Sequence, residues 1–440
     1  MIDLKELRNA PEVVIEAMVR RGDDKAEQLV HHTLQADEER RRLIGEVELR
    51  KAERNETSKE IGAAKERGED ANAQIVEMKK VSSSIKTLDA DLARVEAQIR
   101  ENLLRIPNIP DERVPPGEEG DGQVLVEWGT PRLDKVPPHW DLGKSYGYSE
   151  ITGSRYPGGL PPALDLKRGA QIAGTGFPLL VGGGARLSRA LVQFMLDLHV
   201  REHGYLEVAP PFLMNRESMT GTGHIPKFED DAYRTEPDDL FLVPTAEVPL
   251  TNLHRGEVLE NADLPLAYVA YSPCFRREAG AAGRDTRGLL RVHQFDKVEL
   301  VRICRPEESV DELECLTRHA ERVLELLELP YRRVLLPIGD LGFANAITYD
   351  LEIWAPGVES WLEVSSCSSY TDYQARRSSI RYRPSPSDSP RFLHTLNGSA
   401  LALARLIVVL LETGYREDSG ITLPEVLHSY LGFERLTPIS

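Results

Sequence analysis

Three stretches of the chain concentrate side chains suited to work on a charged, phosphorylated substrate. The first is Pro273-Cys-Phe-Arg-Arg-Glu-Ala-Gly280, continued by Arg284-Asp-Thr-Arg-Gly-Leu-Leu-Arg-Val-His-Gln-Phe-Asp-Lys-Val-Glu299. Two strands joined by a basic loop would form a hairpin there, presenting Arg276, Glu278, Phe295 and Glu299 to one surface. Arginine suits bidentate capture of carboxylate or phosphate, and Phe295 offers a stacking face. The plain alternative is a charged surface hairpin. The second stretch is Trp361-Leu-Glu-Val-Ser-Ser-Cys-Ser-Ser369, in which Glu363 and Ser366 are hard oxygen ligands of the kind Mg²⁺ takes; a strand end with a serine-capped turn would look the same. The third is His394-Thr-Leu-Asn-Gly-Ser-Ala-Leu-Ala-Leu-Ala-Arg405. A polar tight turn is expected to lead there into a helix of small residues carrying Arg405, unless this is an ordinary buried helix capped by Ser399. Val181-Gly-Gly-Gly-Ala185 precedes a helix and could cradle phosphate, although a plain turn is the stronger reading of a lone glycine run. Neither a G-x-x-x-x-G-K-[ST] loop nor a G-x-G-x-x-G following a strand is present.

The elements that must position these residues fall into two regimes. Residues 1–22 open with a short amphipathic segment, with Pro11 near its second turn and Gly22 as a helix stop. From Leu29 to Leu104 there is no proline and charges are dense. Met78, Val81, Ile85, Leu88, Leu92, Val95 and Ile99 step alternately by three and four, an a/d seam held for three repeats. The first half, with Leu34, Leu43, Val47 and Ile61, is less regular, and Gly62 and Gly68 flank a break. Two helices of about 30 residues in an antiparallel hairpin would reach roughly 45–50 Å. A seam this narrow favours a projecting two-stranded coil over a helical pair docked on the body. Prolines 107, 110, 115 and 116 and glycines 117, 120 and 122 form a linker. Beyond it, strands are expected at Leu240–Val243, Leu266–Tyr271, Asp296–Ile303, Tyr331–Leu336, Thr348–Trp354 and Ser360–Ser365. Helices are expected at Arg186–His203, Ser309–Leu327 and Leu401–Glu412. Runs of strands without strict βαβ alternation predict an α+β domain on a mainly antiparallel sheet.

The chain has 440 residues and a formal net charge of −17, from 54 Lys+Arg against 71 Asp+Glu. Its 41% hydrophobic and 28% charged content excludes disordered, collagen-like and disulfide-scaffold classes. The acidity argues against a general nucleic-acid coat, not against one local nucleic-acid surface. Residues 30–104 hold 14 basic and 16 acidic side chains, so most of the acidity lies elsewhere. The longest strongly apolar run, Leu406–Leu411, is far too short for a membrane span. The N-terminus, with Asp3, Lys5 and Glu6, lacks a signal-peptide core. Cys274, Cys304, Cys315 and Cys367 show no C-x-x-C pairing, so reduced thiols, a cytoplasmic location and no structural zinc are expected.

Together the three stretches resemble motifs 1–3 of class II aminoacyl-tRNA synthetases, and within that class the seryl-tRNA synthetase family. Motif 1 resembles the helix ending in Glu202-His-Gly-Tyr-Leu-Glu-Val-Ala-Pro-Pro211. Motif 2 runs from Phe275 to Phe295, and motif 3 ends at Arg405. The seryl family's own signatures are matched by Met219-Thr-Gly-Thr-Gly-His224, Pro244-Thr-Ala-Glu-Val-Pro-Leu-Thr-Asn-Leu-His254 and Tyr373-Gln-Ala-Arg-Arg377, besides the N-terminal Asp3-Leu-Lys and the helical hairpin. The chain departs from the family in an insertion at Gly147–Pro162. It also carries Thr175 and Gly176 where serine and arginine are usual, and Ala400 and Ala404 where glycine is common.

The resemblance implies an N-terminal antiparallel coiled-coil hairpin joined to a class II catalytic domain. The expected division is 1–106 for the tRNA-binding domain with its arm at about 29–104, 107–122 for the linker, and 123–440 for the catalytic core. It implies activation of L-serine by ATP, with Mg²⁺, and transfer of serine to tRNA(Ser), and to tRNA(Sec) where present, by a cytoplasmic homodimer without membrane partners. By position, Arg276 would bridge the serine carboxylate and the α-phosphate. Glu278 would contact adenine, and Phe295 and Arg405 would sandwich it. Arg277, Val292, Val364 and Ser365 would complete the ATP site. Glu363 and Ser366 would hold Mg²⁺, making Arg276, Glu363 and Arg405 the catalytic set. Thr245, Ala246 and Glu247 would line the serine pocket, with Glu247 on the ammonium. Glu299, with Asn397 and Ser399, would read the hydroxyl. Arg50, Lys51, Arg54, Lys79 and Lys80 would meet the tRNA backbone. A ligase that loads another acceptor, or a scaffold using only the coiled coil, are the competing classes; the retained arm and the intact Arg276, Glu299, Glu363 and Arg405 set speak against them.

Overall fold

The computed structural model describes residues 1–148, 156, 159–279 and 287–439. Most of the Gly147–Pro162 insertion, and Arg284 with its neighbours in the basic loop, lie outside the described residues. The chain divides into two compact units, Met1–Ile109 and Pro110–Ser440.

The first unit is helical. Leu4–Asn9 and Pro11–Arg20 lead into helix α1 (Asp24–Glu66), which pairs with helix α2 (Asn72–Arg105). Asp23 caps α1 by accepting from the Ala26 N–H at 3.0 Å. All seven seam residues of α2 are buried or half-buried. The pair is also tied by Arg40–Glu96 at 3.0 Å and Lys51–Asp89 at 3.3 Å. Arg8 makes a fork to the buried Asp37 at 2.6 and 2.8 Å, docking the first helix on the base of α1. Helix α1 is longer than the spacing predicts, with 43 residues or about 65 Å at 1.5 Å per residue, while the 34 residues of α2 give about 51 Å, near the expected reach. Its buried seam is made partly of Thr33, Ala36 and Ala64, small residues that an apolar count overlooks. Gly62 sits inside the helix; the break comes at Gly68, whose φ is +72°.

The second unit is built on an eight-stranded sheet: β1 (Gln123–Trp128), β2 (Leu206–Glu207), β3 (Leu266–Phe275), β4 (Gln294–Cys304), β5 (Tyr331–Leu335), β6 (Ile347–Ala355), β7 (Ser360–Ser369) and β8 (His394–Ala402). The order is β1-β5-β6-β7-β8-β4-β3-β2, antiparallel except for β2 on β3. Helices α3 (Gly183–Arg201), α4 (Ser309–Leu326) and α5 (Leu403–Gly414) pack on it, burying Leu187, Leu191, Leu313, Leu316, Leu406 and Ile407 in one core. Among the described residues no helix is long and apolar enough to cross a membrane.

One expectation fails here. His394–Ala402 is a strand, not a tight turn entering a helix, and α5 begins only at Leu403. Asn397-Gly398-Ser399 are turn-forming types and Ala400-Leu-Ala402 favour helix, but the segment lies between two partners, pairing Cys367↔Gly398 on one side and Ser399↔Glu299 on the other. Tertiary pairing overrides propensity. Gly398 is needed there because a Cβ would meet Leu316 Cδ2 at 2.5 Å and Cys367 Sγ at 2.7 Å.

The end of α3 carries a histidine cluster. His199 Nδ1 lies 2.9 Å from His203 Nδ1, the His203 ring stacks on His319 at 4.0 Å, and His319 Nδ1 lies 3.1 Å from the Tyr205 hydroxyl. Burial, then His203, pushes His319 down to about 3, so the native ring stays neutral while an unfolded one takes a proton near pH 6.5. The unfolded state then binds more protons, and stability is lost as pH falls below about 6.5. His319→Gln is expected to reduce the acid sensitivity of the denaturation midpoint between pH 6 and pH 5 by about one proton's worth of slope. An unchanged slope in urea titrations at the two pH values would refute this.

Candidate active site

A cavity of about 420 Å³ opens against the sheet where β4, β7 and β8 lie side by side. Strand alternation supplies its floor: Phe295, Lys297 and Glu299 of β4 line it, while Val298 and Leu300 turn into the core. Asn397 and Ser399 repeat the pattern on β8. On β7, Glu363 and Ser366 are three apart and would face opposite sides of a regular strand. The register slips there: Leu351 pairs with Ser365 and Glu352 with Glu363, so Val364 is an extra residue. This bulge turns both Glu363 and Ser366 into the cavity.

One end is acidic and buried. Thr245 Oγ1 donates to Glu299 Oε2 at 3.1 Å, and Lys297, also buried, pairs with Glu299. Gln374 Nε2 donates to Glu247 Oε1 at 2.7 Å and is itself fixed by Thr395, whose hydroxyl donates to Gln374 Oε1 at 2.7 Å. Burial pushes both carboxyls up, against the pull of Lys297. His224 lines the same space and is pushed down to about 3 by burial and then by Arg276, so it adds no positive charge at neutral pH.

The other end is basic and aromatic. The Arg276 backbone N–H donates to the His293 carbonyl at 3.0 Å, and its guanidinium lies 5.3 Å from the Phe295 ring centroid. Glu278 is held in the left-handed region at φ +52° and accepts from Arg291 at 2.7 Å. Arg405 donates to the Glu363 carbonyl at 2.8 Å, to its carboxylate at 3.0 Å, and through Nε to the Leu290 carbonyl at 3.3 Å. Both the Glu363 carboxylate and Arg405 are half-exposed.

The cavity thus brings together Thr245, Glu247, Arg276, Glu278, Val292, Phe295, Glu299, Glu363, Ser366, Asn397, Ser399 and Arg405. Four expected residues are not in its lining. Ala246, Val364 and Ser365 are fully buried, with Ser365 Oγ donating to the Ser399 carbonyl at 2.6 Å. Arg277 turns away, donating to the Asp230 carbonyl at 3.0 Å. Sequence reasoning missed Lys297, Gln374 and Tyr370, although i, i+2 spacing from Phe295 and Glu299 pointed at Lys297. The glycine run 182–184 is not a phosphate cradle: a Cβ on Gly184 would collide with the Ala163 carbonyl, so the glycines serve close packing.

No cluster of three or more His, Cys, Asp or Glu side chains suited to a metal occurs among the described residues. Two protein oxygens with solvent, as Glu363 and Ser366 offer, suit a phosphate-bound Mg²⁺ rather than an all-protein cage. Next to them Asp350, opposite Ser366 in the sheet, is buried with its Oδ1 unpartnered. Burial and the Glu363 charge push its carboxyl up, a state that a nearby cation would relieve.

The arm residues Arg50, Lys79 and Lys80 are exposed and Lys51 and Arg54 half-exposed. Arg50 pairs with Glu53 at 2.8 Å and Lys80 with Glu77 at 3.0 Å.

The seryl-tRNA synthetase N-terminal domain family matches residues 1–110, and the class II tRNA synthetase core domain (G, H, P, S and T) matches residues 227–414. A serine–tRNA ligase of Carboxydothermus hydrogenoformans is 49% identical over 99% of both chains. One of Gemmatimonas aurantiaca is 49% identical over 98% of this chain and 99% of its own. The crystal structure of seryl-tRNA synthetase from Pyrococcus horikoshii complexed with ATP superposes with a TM-score of 0.91 at 37% identity, covering both chains completely.

Proposed function

This chain belongs to the seryl-tRNA synthetase family, and from that premise we propose how its cavity carries out the two half-reactions. The enzyme is a serine–tRNA ligase: a serine carboxylate oxygen attacks the α-phosphorus of ATP and pyrophosphate leaves, then the terminal adenosine hydroxyl of tRNA(Ser) attacks the carbonyl carbon and AMP leaves. We extend the acceptor to tRNA(Sec) where it exists, and place the enzyme in the cytoplasm.

The observation that carries the assignment of residues is the charge imbalance of the acidic end. Two buried carboxylates, Glu247 and Glu299, face one buried cation, Lys297. The ammonium of serine is the missing second cation, held at Glu247. Its hydroxyl would then reach Glu299, with Asn397 and Ser399 beside it and Thr245 closing the wall. Arg276 would bridge the serine carboxylate and the α-phosphate, opposing the charge that develops in the in-line transition state. Phe295 would stack on adenine with Arg405 over its other face, Glu278 at the base edge and Val292 in the wall. For Arg405 to lie over adenine its guanidinium has to stay anchored to Glu363 and Leu290. Ala246, Arg277, Val364 and Ser365 would act through backbone or packing. Glu363 and Ser366 would hold Mg²⁺, which supplies charge neutralisation on the phosphates. We keep 1–106 as the tRNA-binding domain, 107–122 as linker and 123–440 as catalytic core.

Serine-dependent pyrophosphate–ATP exchange, followed by charging of total tRNA, tests the reaction. Within it, Glu299→Ala should lower kcat/KM for serine by about 10- to 150-fold, the 1.5–3 kcal/mol of a hydrogen bond to a charged group, and should narrow discrimination against alanine. Exchange at the wild-type level with alanine still rejected removes Glu299 as the hydroxyl reader. We also propose a homodimer, because motif 1 builds the interface in this class and C₂ symmetry is the commonest closed arrangement. Light scattering at micromolar concentration should give the mass of two chains; a fully active monomer contradicts it.

A further inference from the structure

His139 is fully buried at the start of the short helix His139–Ser145, apart from every residue assigned above. Its backbone N–H and its Nδ1 both face Glu412 Oε1, at 2.9 and 3.0 Å. Glu412 Oε2 accepts from the Gly357 N–H at 2.8 Å. On the far side of the ring the backbone N–H of Leu289 donates to Nε2 at 3.0 Å. A backbone N–H can only donate, so Nε2 presents its lone pair and the ring proton sits on Nδ1, where Glu412 accepts it. The ring is fixed in one tautomer and one orientation, with both nitrogens used.

The neighbours on either side add to the grip. Gly288 has φ +71°, and a Cβ on it would collide with His139 Nε2; glycine is required there on both counts. The Arg287 guanidinium lies 4.4 Å from the ring centroid of Trp140. Two consecutive residues, His139 and Trp140, therefore hold three consecutive residues, Arg287 to Leu289, at the C-terminal stem of the loop between β3 and β4. From that stem the chain runs directly into the cavity wall, where Leu289, Leu290, Arg291 and Val292 all line the nucleotide end. Leu290 also offers its carbonyl to Arg405.

We propose that His139 is a positioning residue for the nucleotide half of the site. It sets the placement of segment 289–292 and, through the Leu290 carbonyl, of the Arg405 guanidinium. The inference rests on the reading of that half as the ATP site. The serine half is built from Lys297 and Glu299 of β4 with Thr245, Glu247 and Gln374, whose side-chain bonds run among themselves and to Thr395 rather than to His139 or segment 287–289, so serine affinity should respond far less than ATP affinity.

Full-length His139→Ala and Gly288→Ala remove the contact from its two sides, and His139→Gln keeps an acceptor, Oε1, for the Leu289 N–H. Amide hydrogen exchange of the peptide spanning 287–292, measured without ligands, reports on the grip independently of any function. It should speed up in both alanine variants and stay near wild type in His139→Gln. In pyrophosphate exchange the ATP KM should rise about tenfold in the alanine variants, with the serine KM within about twofold and most of the loss restored by glutamine. Unchanged amide exchange in the alanine variants overturns the grip. A parallel rise in both KM values that glutamine does not restore overturns the positioning role in favour of general packing. Arg405→Ala separates the underlying reading: if its ATP KM matches wild type, the nucleotide assignment fails, and the functional half of this proposal with it, while the amide-exchange result stands.

Discussion

Replacing Arg276 by lysine is expected to lower serine-dependent pyrophosphate exchange by about 10²- to 10³-fold, although the positive charge is kept. The β3–β4 ladder ends at Phe275↔Gln294, and Arg276 adds one more bond, its N–H to the His293 carbonyl at 3.0 Å. Its Cα is therefore fixed by the hairpin whatever the side chain. From that point the guanidinium reaches over Phe295 into the cavity, between its acidic end and its basic, aromatic end. Its planar fork can donate to a carboxylate oxygen and a phosphate oxygen at once; an ammonium group is a compact point charge without that fork. Charge on the α-phosphate oxygens grows only as the reaction proceeds, so the loss should fall more on kcat than on either KM. The thermal midpoint should stay close to wild type, since the bond that orders this residue is a backbone one. Exchange within about threefold of wild type would sink the bridging role.

What could be read in advance, and what could not, follows from how each feature is encoded. The floor of β4 is a period-two pattern in sequence, and Phe295, Lys297 and Glu299 fall on one face without any tertiary information. The seam of α2 is likewise written in its own heptads. The pairing of Glu363 with Ser366 is different. Their spacing of three contradicts a strand face, and only the bulge at Val364, created by the register against β6, turns both into the cavity. Their residue types marked the two as hard oxygen ligands and the family resemblance gave them a shared role, but nothing local in the sequence shows how both reach one cavity. The segment 394–402 departs from the expected tight turn for a related reason: Asn397-Gly398-Ser399 are turn-forming types, and the strand is imposed by β7 and β4 on either side. Gln374 and His139 act through partners more than 100 residues away in sequence, which no local pattern announces.

Shortening the arm should separate the two half-reactions. Replacing residues 45–91 by a short Gly-Ser turn is expected to leave pyrophosphate exchange intact and to lower tRNA charging by about a hundredfold or more. The cut keeps what holds the base of the hairpin together: the Arg8–Asp37 fork, the Arg40–Glu96 bridge and the buried Val30, Leu43, Val95, Ile99 and Leu103. All residues assigned to adenylation lie beyond position 240, so the exchange reaction has no reason to change. The distal arm has no aromatic platform for stacking bases, and its basic side chains are partly engaged: Lys51 with Asp89, Arg50 with Glu53 and Lys80 with Glu77. A long, stiff, nearly charge-balanced pair of helices suits recognition of RNA shape and backbone rather than base edges. Family resemblance points to the long variable arm of tRNA(Ser), which would make the anticodon dispensable. Phosphate contacts from Arg50, Lys51, Arg54, Lys79 and Lys80 must compete with those carboxylates and with salt, so wild-type binding should weaken steeply as salt is raised. The competing account is that the arm only stabilises the fold or the dimer. It predicts that exchange and dimer mass fall together with charging, whereas the recognition account predicts that charging falls alone. A folded, dimeric, shortened enzyme that charges tRNA at the wild-type rate would remove the arm from recognition altogether.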